Sequence, residues 1–335
     1  MTYTDLELFA GGGGLALGLN QSGFKSVGMI ENNHDACKTL KRNFANVPII
    51  EHDITDLNSE NKEIQFLLPY YRKLDLISGG YPCQSFSYAG KQLGFADTRG
   101  TLFYNYAYFL KLIQPKMFVA ENVPGLRTND HGRTFKTMLN VFSECNYRVQ
   151  WQILNANDYG VAEKRRRLIM IGIRSDFNLS YKFPVKHNYK PVLKDVLQNV
   201  PDSPGASYSK SRYNILKQVP AGGWWKDLPT DVAKEYMSND YNNGGGSTGV
   251  ARRLCWNEPC LTIMTAPIGK RTERCHPDET RPLTIREEAR IQGFPDNYLF
   301  SGSKSSQYKQ IGNAVPVPLA KEIGQSIISA LNSDK

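Results

Sequence analysis

The first apolar run of the chain passes without a break into four consecutive glycines. Residues Thr4 to Ala10 have the length and composition of a buried strand, and Gly11 to Gly14 end it. An apolar segment from Leu15 then continues in a pattern typical of a helix. Glycines allow a tight turn and a close approach of the backbone to a ligand, and the helix N-terminus presents free N–H groups. The sequence therefore predicts a strand, a ligand-binding turn and a helix, which favours an α/β fold.

Two further apolar runs end in acidic residues. The run from Lys25 to Ile30 is followed by Glu31, and the run from Pro48 to Ile54 carries Asp53 near its end. In Rossmann-type folds an acid at such a position binds ribose hydroxyls. Three successive strand ends therefore suit a nucleoside cofactor. The glycine spacing is not that of a dinucleotide motif and no Walker lysine follows, so the identity of the cofactor stays open and a hydride-transfer enzyme is an alternative.

A fourth apolar run ends in Gly79 and Gly80 and leads to Pro82 and Cys83. Pro82 restricts its own φ and the residue before it, so we expect Cys83 on a constrained turn at the carboxyl end of a strand. Ligands bind at this edge of open α/β sheets. A nucleophile beside a nucleoside cofactor indicates group transfer, whereas a buried structural thiol is the alternative. Residues 84–100 lack sustained apolar periodicity and are predicted to form either a lid or a disordered segment.

Acidic and basic side chains are expected near this thiol. Glu121 follows the apolar run from Lys116 to Ala120, so its carboxylate should lie at the end of a neighbouring strand. An acid partner to the thiol fits this position better than an exposed turn residue. Farther along, the alternation of a strand sends Arg165 and Arg167 to one side and Arg166 to the other. Two guanidinium groups on one face lower the pKa of a thiol or hold a phosphate.

Charge and cysteine content narrow the class of protein. The 335 residues carry a net charge of +9 and a pI of about 9.1, which favours a polyanionic partner such as nucleic acid. Six cysteines without a CxxC pair suggest neither a disulfide scaffold nor a zinc site, and no metal site is predicted. Neither a signal peptide nor an apolar stretch of about 20 residues is evident. We therefore expect a cytoplasmic protein without a membrane segment.

The composition changes from about Asp176 to Thr280, where prolines and glycines interrupt any long periodicity. We predict a catalytic and cofactor-binding domain over 1–180, a smaller domain over 181–280, and a C-terminal segment over 281–335 that returns to the first domain. Trp224 and Trp225 are more typical of a small core than of stacking on a base. The last helix carries an i+4 stripe that predicts core packing: Leu319, Ile323, Ile327 and Leu331.

These features resemble the DNA (cytosine-5)-methyltransferases of bacterial restriction-modification type. The matching motifs occur in the family's order along nearly the whole chain: Phe9 to Gly14, Glu31, Asp53, Pro82-Cys83-Gln84, Glu121-Asn122-Val123, Asn155 to Arg167, Arg286 to Pro295, and Gln310 to Pro316. The resemblance implies a doubly wound, mostly parallel α/β sheet, the S-adenosylmethionine-dependent methyltransferase fold, with a second, smaller target-recognition domain. A tRNA cytosine-5 methyltransferase is the close alternative, and a nicotinamide-dependent oxidoreductase is the distant one.

The family resemblance implies S-adenosyl-L-methionine as cofactor, in a pocket completed from the far end of the chain. Glu31 is expected on the ribose and Asp53 near the adenine. The predicted cofactor-binding set is Phe9, Gly11, Gly12, Gly13, Gly14, Glu31, Asn32, Asp53, Ile54, Pro82, Leu102, Asn313 and Val315.

The family resemblance also implies a covalent mechanism. The Cys83 thiolate would add to C6 of a cytosine flipped out of the duplex, so that C5 accepts the methyl group. Glu121 would hydrogen-bond N3 and the exocyclic amine. Arg165 would orient this assembly, and Arg167 would contact the loop or a backbone phosphate. These four residues form the predicted catalytic set.

The predicted partner is double-stranded DNA, and a separately encoded restriction endonuclease would share the target site. The protein itself is expected to be a monomer. Predicted DNA contacts lie in the loop after the thiol and in the smaller domain: Ser85, Ser87, Lys91, Ser247, Thr248, Arg252, Thr262, Lys270 and Arg271. Arg252 is the first candidate to recognise a guanine, with a phosphate contact as the alternative and Arg271 or Arg274 as other base readers. Ser247 or Thr248 would fill the gap left by the flipped base.

Two residues depart from the family pattern. The family often has glutamine where this chain has Glu163, and aspartate where it has Glu7. Glu163 places a negative charge beside an arginine run that is expected to face DNA, which puts the contacts of that run in question. Neither departure concerns the chemistry of Cys83 and Glu121.

Overall fold

The computed structural model describes residues 2–82, 102–242 and 249–333. The chain forms two compact units: the first comprises Met1–Asn155, Arg166–Lys186 and Val315–Lys335, and the second comprises Ala156–Arg165 and His187–Ala314. The chain returns to the first unit at Val315, whereas the sequence predicted a return at residue 281. The assignment of catalysis to one domain and target recognition to another stays a prediction, because these units are defined by contacts alone.

The first unit alternates strands and helices along the chain, numbered here in chain order. Short 3₁₀ helices connect them at Ile54–Asp56, Lys62–Tyr70, Pro124–Arg127 and Asn129–Gly132. Its strands are β1 (Tyr3–Leu8), β2 (Phe24–Glu31), β3 (Ile49–Glu51), β4 (Leu76–Gly79), β5 (Met117–Asn122), β6 (Tyr147–Asn155) and β8 (Arg166–Arg174), and its helices are α1 (Gly14–Ser22), α2 (His34–Asn43), α3 (Leu102–Ile113), α4 (Arg133–Glu144) and α10 (Val317–Asn332).

Within the described residues, these seven strands form one sheet in the order β3-β2-β1-β4-β5-β8-β6. The pairs from β3 to β5 are parallel, and β8 runs antiparallel to both of its neighbours. The strand order reverses direction between β1 and β4, which is the switch point where such sheets bind ligands. The predicted doubly wound, mostly parallel α/β fold is confirmed.

The core of the first unit lies on the sheet. Strand residues such as Leu6 and Phe118 are fully buried, together with Phe103 and Tyr106 of α3. The predicted stripe of α10 is buried as well, and its helix packs closely on α1: a Cβ added to Gly18 would lie 2.4 Å from the Cβ of Ala320. The α10 stripe therefore belongs to the core, as predicted, and Phe103 and Tyr106 of α3 are buried in the core of the same unit.

The described residues of the second unit form short elements around small cores. Trp225 is buried in one of these cores, as predicted, and Trp224 packs against it. β7 (Glu163–Lys164) and β9 (Cys260–Leu261) form a two-stranded parallel pair. None of the helices in the described ranges has both the length and the apolar composition needed to cross a membrane. The elements are β7 (Glu163–Lys164), α5 (Leu193–Val196), α6 (Lys210–Leu216), α7 (Thr230–Met237), β9 (Cys260–Leu261), α8 (Ile285–Ile291) and α9 (Lys304–Asn313), with 3₁₀ helices at Ala156–Tyr159, Trp225–Asp227 and Ser238–Asp240.

Candidate active site

The strands at the centre of the first unit end at the same level. The register pairs Leu8 of β1 with Ile30 of β2 and with Gly79 of β4, and it pairs Gly79 with Ala120 of β5. Residues that follow these strands therefore share one edge of the sheet, beside the switch point. The structure thus brings together the glycine turn, the acids and the segment that leads to Cys83.

The glycine turn is fixed by its backbone conformation and by Glu31. Phe9, Gly11 and Gly13 all have positive φ, at 58°, 53° and 79°. For Phe9 this is the sparsely populated left-handed region, which is typical of functional turns. One carboxylate oxygen of Glu31 accepts the N–H of Gly11 at 2.8 Å, and the other accepts the N–H of Asn33 at 2.7 Å. Glu31 is therefore held in one orientation at the predicted cofactor edge.

The space above this turn suits a nucleoside ligand. A Cβ added to Gly11 would meet no atom within 4 Å, so the turn is open on that side. Gly13 is the N-cap of α1 and supplies no side-chain hydrogen bond, which leaves N–H groups of the first turn for other acceptors.

Asp53 lies just beyond β3 and is held as an anion. Its carboxylate accepts the backbone N–H of Thr55 at 2.9 Å and the hydroxyl of Thr55 at 2.8 Å. These hydrogen bonds lower the pKa of Asp53. The side chain of Asn32 reaches the same carboxylate at 3.5 Å, and Ile54 is buried in the core. The structure thus joins Asn32 and Asp53 at the edge where the sequence predicted adenine binding.

The segment that leads to Cys83 lies directly against the end of β5. A Cβ added to Gly80 would lie 2.7 Å from a carboxylate oxygen of Glu121. The amide of Asn122 donates to the carbonyl of Tyr81 at 3.0 Å. Only glycine fits at position 80 without displacing Glu121, and Asn122 fixes the turn that follows it. Sequence reasoning missed this role of Asn122, although the residue lies within a quoted motif.

Arg167 is the arginine that contacts Glu121. Its Nε lies 2.7 Å from the carboxylate, and both side chains are largely buried. The sequence predicted an orienting role for Arg165, and that role stays a prediction. Arg165 lies in the second unit, where its guanidinium donates to the carbonyls of Ile263 at 3.2 Å and Gly312 at 2.8 Å. The predicted alternation holds, since Arg165 and Arg167 are the less exposed members of the run, but the two serve different parts of the molecule.

Four of the cysteines in the described ranges are buried. Burial raises the pKa of all four thiols. The pKa is about 12 for Cys37 and Cys145, and it lies above the usual value for Cys260 and Cys275. Such thiols stay protonated at neutral pH and are poor nucleophiles. Cys83 lies outside the described residues, so its role as nucleophile stays a prediction.

Two acids lie buried beneath the glycine turn, both on β1. Burial raises the pKa of Asp5 to about 7, although the hydroxyl of Ser78 donates to its carboxylate at 3.0 Å. Burial also raises the pKa of Glu7 well above its usual value, as do the nearby Asp5 and Glu31. The backbone N–H of Ala16, in the first turn of α1, donates to Glu7. Glu7 thus places its carboxyl group where it accepts an N–H from the first turn of α1.

Several predicted residues cannot be placed at this site. Residues Cys83, Ser85, Ser87, Lys91, Ser247 and Thr248 lie outside the described ranges. Gly12 is buried within the glycine turn. Pro82 is exposed and lies three residues after the last residue of β4, and Leu102 is the first residue of α3. Asn313 is exposed in the second unit, whereas Val315 is buried in the first. Their predicted parts in the cofactor pocket stay predictions.

The two arginines predicted to read bases differ in exposure. Arg252 lies 3.4 Å from Glu258, and its side chain is only 17 % exposed. Arg271 pairs with Asp240 at 3.0 Å, but its side chain is 77 % exposed. The sequence predicted Arg252 as the first candidate to recognise a guanine. In the structure, the side chain of Arg271 is more accessible to a partner than that of Arg252.

The other predicted DNA contacts of the second unit are tied to the backbone. The Thr262 hydroxyl donates to the carbonyl of Lys164 at 2.8 Å, and the ammonium of Lys270 donates to the carbonyl of Tyr236. Arg274 was an alternative base reader, and that role stays a prediction. Its side chain is buried and donates to the carbonyl of Thr262 at 2.9 Å.

Glu163 occupies a position that sequence reasoning did not anticipate. It is completely buried, and its carboxylate accepts the N–H of Ile263 at 2.6 Å while lying 3.6 Å from Arg165. The negative charge expected beside a DNA-facing surface is therefore inside the second unit. Only the departure from the family pattern marked this residue in the sequence.

No group of three or more His, Cys, Asp or Glu side chains in residues 2–82, 102–242 and 249–333 is arranged to hold a metal ion.

Comparison with known proteins decides the family. The family model described as C-5 cytosine-specific DNA methylase matches residues 3–329. The chain belongs to this family. The predicted family and enzyme class are confirmed, and the match rules against a nicotinamide-dependent oxidoreductase.

Relatives support this membership along the whole chain. The chain is 52 % identical to the Type II methyltransferase M.Sau96I of Staphylococcus aureus over 334 residues, which cover 98 % of this chain and 76 % of the relative. It is 48 % identical to the Type II methyltransferase M.Eco47II of Escherichia coli over 340 residues, 98 % of this chain and 80 % of that protein. A crystal structure assigned as a DNA modification methyltransferase of an E. coli prophage has a TM-score of 0.73 and 26 % identity, and covers 99 % of this chain and 100 % of the other.

Proposed function

We propose that this protein transfers a methyl group from S-adenosylmethionine to C5 of a cytosine within a short, specific sequence of double-stranded DNA. The family membership supports the reaction, and the names of the relatives support a role in a Type II restriction-modification system. In that role the enzyme protects host DNA from a separately encoded endonuclease with the same target. It acts as a monomer in the cytoplasm.

The observation that carries the proposal is the pair of Glu121 and Arg167 at the end of β5, against the backbone of Gly80. Three residues after Gly80 the chain reaches Cys83, the proposed nucleophile. A thiolate that adds to C6 of cytosine pushes electron density onto N3 and C5. Glu121 is proposed to hydrogen-bond N3 and the exocyclic amine of the flipped base as this charge develops.

Arg167 takes the role that the sequence assigned to Arg165. Its guanidinium fixes one carboxylate oxygen of Glu121 at 2.7 Å. A largely buried carboxylate with a fixed arginine keeps a single orientation, so it meets the base without reorganising. Arg165 keeps a supporting part in the second unit.

The cofactor is proposed to bind along the same edge of the first unit. When bound, S-adenosylmethionine supplies an electrophilic methyl group on a sulfonium. The open, left-handed glycine turn accommodates a close ligand. Glu31, which the N–H groups of Gly11 and Asn33 hold in place, is proposed to bind the ribose hydroxyls, and Asp53 with Asn32 is proposed to contact the adenine. The residues present therefore fit the cofactor that is typical of this family.

The test begins with the target. The protein is expressed in a bacterial host that lacks cytosine methylation, and bisulfite sequencing of a plasmid then identifies the modified site. A duplex with 5-fluorocytosine at that site should form an adduct with the wild-type enzyme that resists denaturation, because fluorine cannot leave C5 as a proton does. Cys83→Ala should bind the duplex without forming the adduct, whereas Cys255→Ala serves as a matched control and should form it.

Two outcomes would overturn the proposal. An adduct in Cys83→Ala would place the nucleophile elsewhere. Methyl transfer to tRNA in preference to duplex DNA would favour the tRNA cytosine-5 methyltransferase alternative.

A further inference from the structure

A short segment of the second unit exposes apolar side chains. Met264 is 42 % exposed and Ile268 is 44 % exposed, and Thr265 and Ala266 between them are exposed as well. Single exposed apolar residues are ordinary, whereas two large ones with an exposed alanine between them, in a segment of five residues, make a candidate interaction surface. We call residues 264–268 the apolar edge.

The backbone that enters the apolar edge is fixed by buried charged side chains. Arg274 donates to the carbonyl of Thr262 at 2.9 Å, and Arg165 donates to the carbonyl of Ile263 at 3.2 Å. Glu163 accepts the N–H of Ile263 at 2.6 Å. Three side chains thus hold two consecutive residues immediately before Met264.

The edge is also fixed from its other side. Arg165 donates with its second nitrogen to the carbonyl of Gly312, in the last turn of α9, at 2.8 Å. A Cβ added to Gly312 would lie 2.7 Å from the carbonyl group of Met264, so the end of α9 packs directly on the edge. At the far end, the Thr272 hydroxyl donates to the carbonyl of Ala266 at 2.8 Å. The apolar edge is therefore a preformed surface.

The free-energy cost of burying these charged side chains indicates that they do more than stabilise the fold. Arg165 and Glu163 are 1 % and 0 % exposed, and burying two charges costs as much as or more than their attraction returns. Apolar side chains of similar volume would stabilise such a core equally well. The charged groups add specificity of position, because Arg165 and Glu163 hydrogen-bond particular backbone groups of Ile263, just before the apolar edge. A surface that is ordered before binding also loses less entropy when a partner arrives.

We propose that Glu163, Arg165 and Arg274 are positioning residues that hold the apolar edge as a preformed contact surface for the target duplex. This inference rests on the proposed function. The occupant is duplex DNA, because the chain belongs to a DNA methylase family and carries a net charge of +9. The exposed Met264 and Ile268 contact apolar atoms of the bases, such as the thymine methyl group, and of the deoxyriboses.

The first experiment alters the surface and leaves its support intact. Met264→Ala, Ile268→Ala and the double variant are compared with Leu299→Ala, which removes a side chain of similar exposure, 44 %, elsewhere in the same unit. With wild-type methylation established, we expect the double variant to raise KM for the target duplex about tenfold. Its melting temperature and affinity for S-adenosylhomocysteine should stay unchanged, and Leu299→Ala should stay within twofold of wild type. A double variant with wild-type KM would overturn the proposal.

The second experiment alters the support. Glu163→Gln keeps an acceptor for the N–H of Ile263, whereas Glu163→Leu removes it. Glu163→Gln should stay within about threefold of the wild-type KM for duplex, and Glu163→Leu should raise KM tenfold or more with a smaller change in kcat. Equal KM values for the two variants would contradict a positioning role.

The surface variants decide the matter if Glu163→Leu does not fold. Absence of methylation of any duplex by the wild-type enzyme would instead reject the proposed function itself. The failure of this inference and the failure of the function are therefore distinguishable.

Discussion

The two units place their functional groups by different means. In the first unit, Glu31 and Glu121 lie at strand ends, and the register of the parallel sheet brings those ends to one level. In the second unit, the apolar edge is positioned by Glu163 and Arg165, which bond to residues 98 to 147 positions away. In a parallel sheet, the topology alone brings the strand ends to one edge. The position of the apolar edge depends instead on particular charged side chains, which are buried at a cost in free energy.

The buried pair of the second unit should show the largest effect. Glu163→Leu leaves Arg165 buried without this carboxylate, so we expect the free energy of unfolding to fall by about 3–5 kcal/mol. The double variant Glu163→Leu/Arg165→Met should be more stable than Glu163→Leu alone, because it removes both charges. Urea denaturation measures all three proteins. A double variant less stable than Glu163→Leu would mean that the unpaired charge of Arg165 is not what destabilises the single variant.

The acid at the end of β5 should govern the rate without affecting the fold. Glu121→Gln removes the negative charge that Arg167 orients, so we expect kcat to fall by about 10²–10³, as when one oriented group at a developing charge is lost. Steady-state methylation of the identified target measures this. Glu144→Gln, at the exposed end of α4, is the matched control and should retain wild-type kcat. Glu121→Gln should leave the melting temperature unchanged. If it lowered the melting temperature as much as the Glu163 variants do, Glu121 would also support the fold, and the two units would not differ in this respect.

The buried acids of β1 should make stability depend on pH. The pKa of Asp5 is about 7 in the folded protein, above its usual value of 3.8, so the folded state binds the extra proton. Stability should therefore fall as pH rises from about 4 toward 7, at up to about 1.4 kcal/mol per pH unit.

Asp5→Asn removes this proton-linked loss while keeping an acceptor for Ser78. The advantage of the variant in unfolding free energy should grow by roughly 2 kcal/mol between about pH 5 and pH 7. Denaturant titrations of both proteins at the two pH values measure it. A constant difference between the variant and the wild type would show that Asp5 is ionised in the folded protein.

The smallest expected effect concerns Glu31. Glu31→Ala removes the acceptor for two backbone N–H groups and for the proposed ribose, so affinity for S-adenosylhomocysteine should fall about tenfold, with duplex affinity unchanged. Isothermal calorimetry measures both. Glu51→Ala is the matched control, because Glu51 pairs with Glu31 in the sheet register but makes its ion pair with Lys41. Equal losses in the two variants would argue against a specific role for Glu31.

The first unit could be predicted from the sequence almost completely. The apolar runs that end in Gly11, Glu31 and Glu121 gave the strands, and parallel strands necessarily bring such residues to one edge. The pairing of the arginines could not be predicted, because Arg165 and Arg167 alternate in the same run. Only the fold shows that one meets Glu121 and the other meets Ile263 and Gly312.

The sequence by itself determined the family, the doubly wound sheet and the candidate residues at its strand ends, because local periodicity and short motifs are properties of neighbouring residues. Only the tertiary structure decided which charged side chains are exposed and which are buried and hydrogen-bond the backbone of distant segments. Glu163, Arg165 and Arg274 have the composition of an exposed basic region, and yet they are buried. Their partners are backbone carbonyls and an N–H, which carry no signature in the sequence. Contacts between a side chain and a distant backbone group are therefore visible only once the chain is folded.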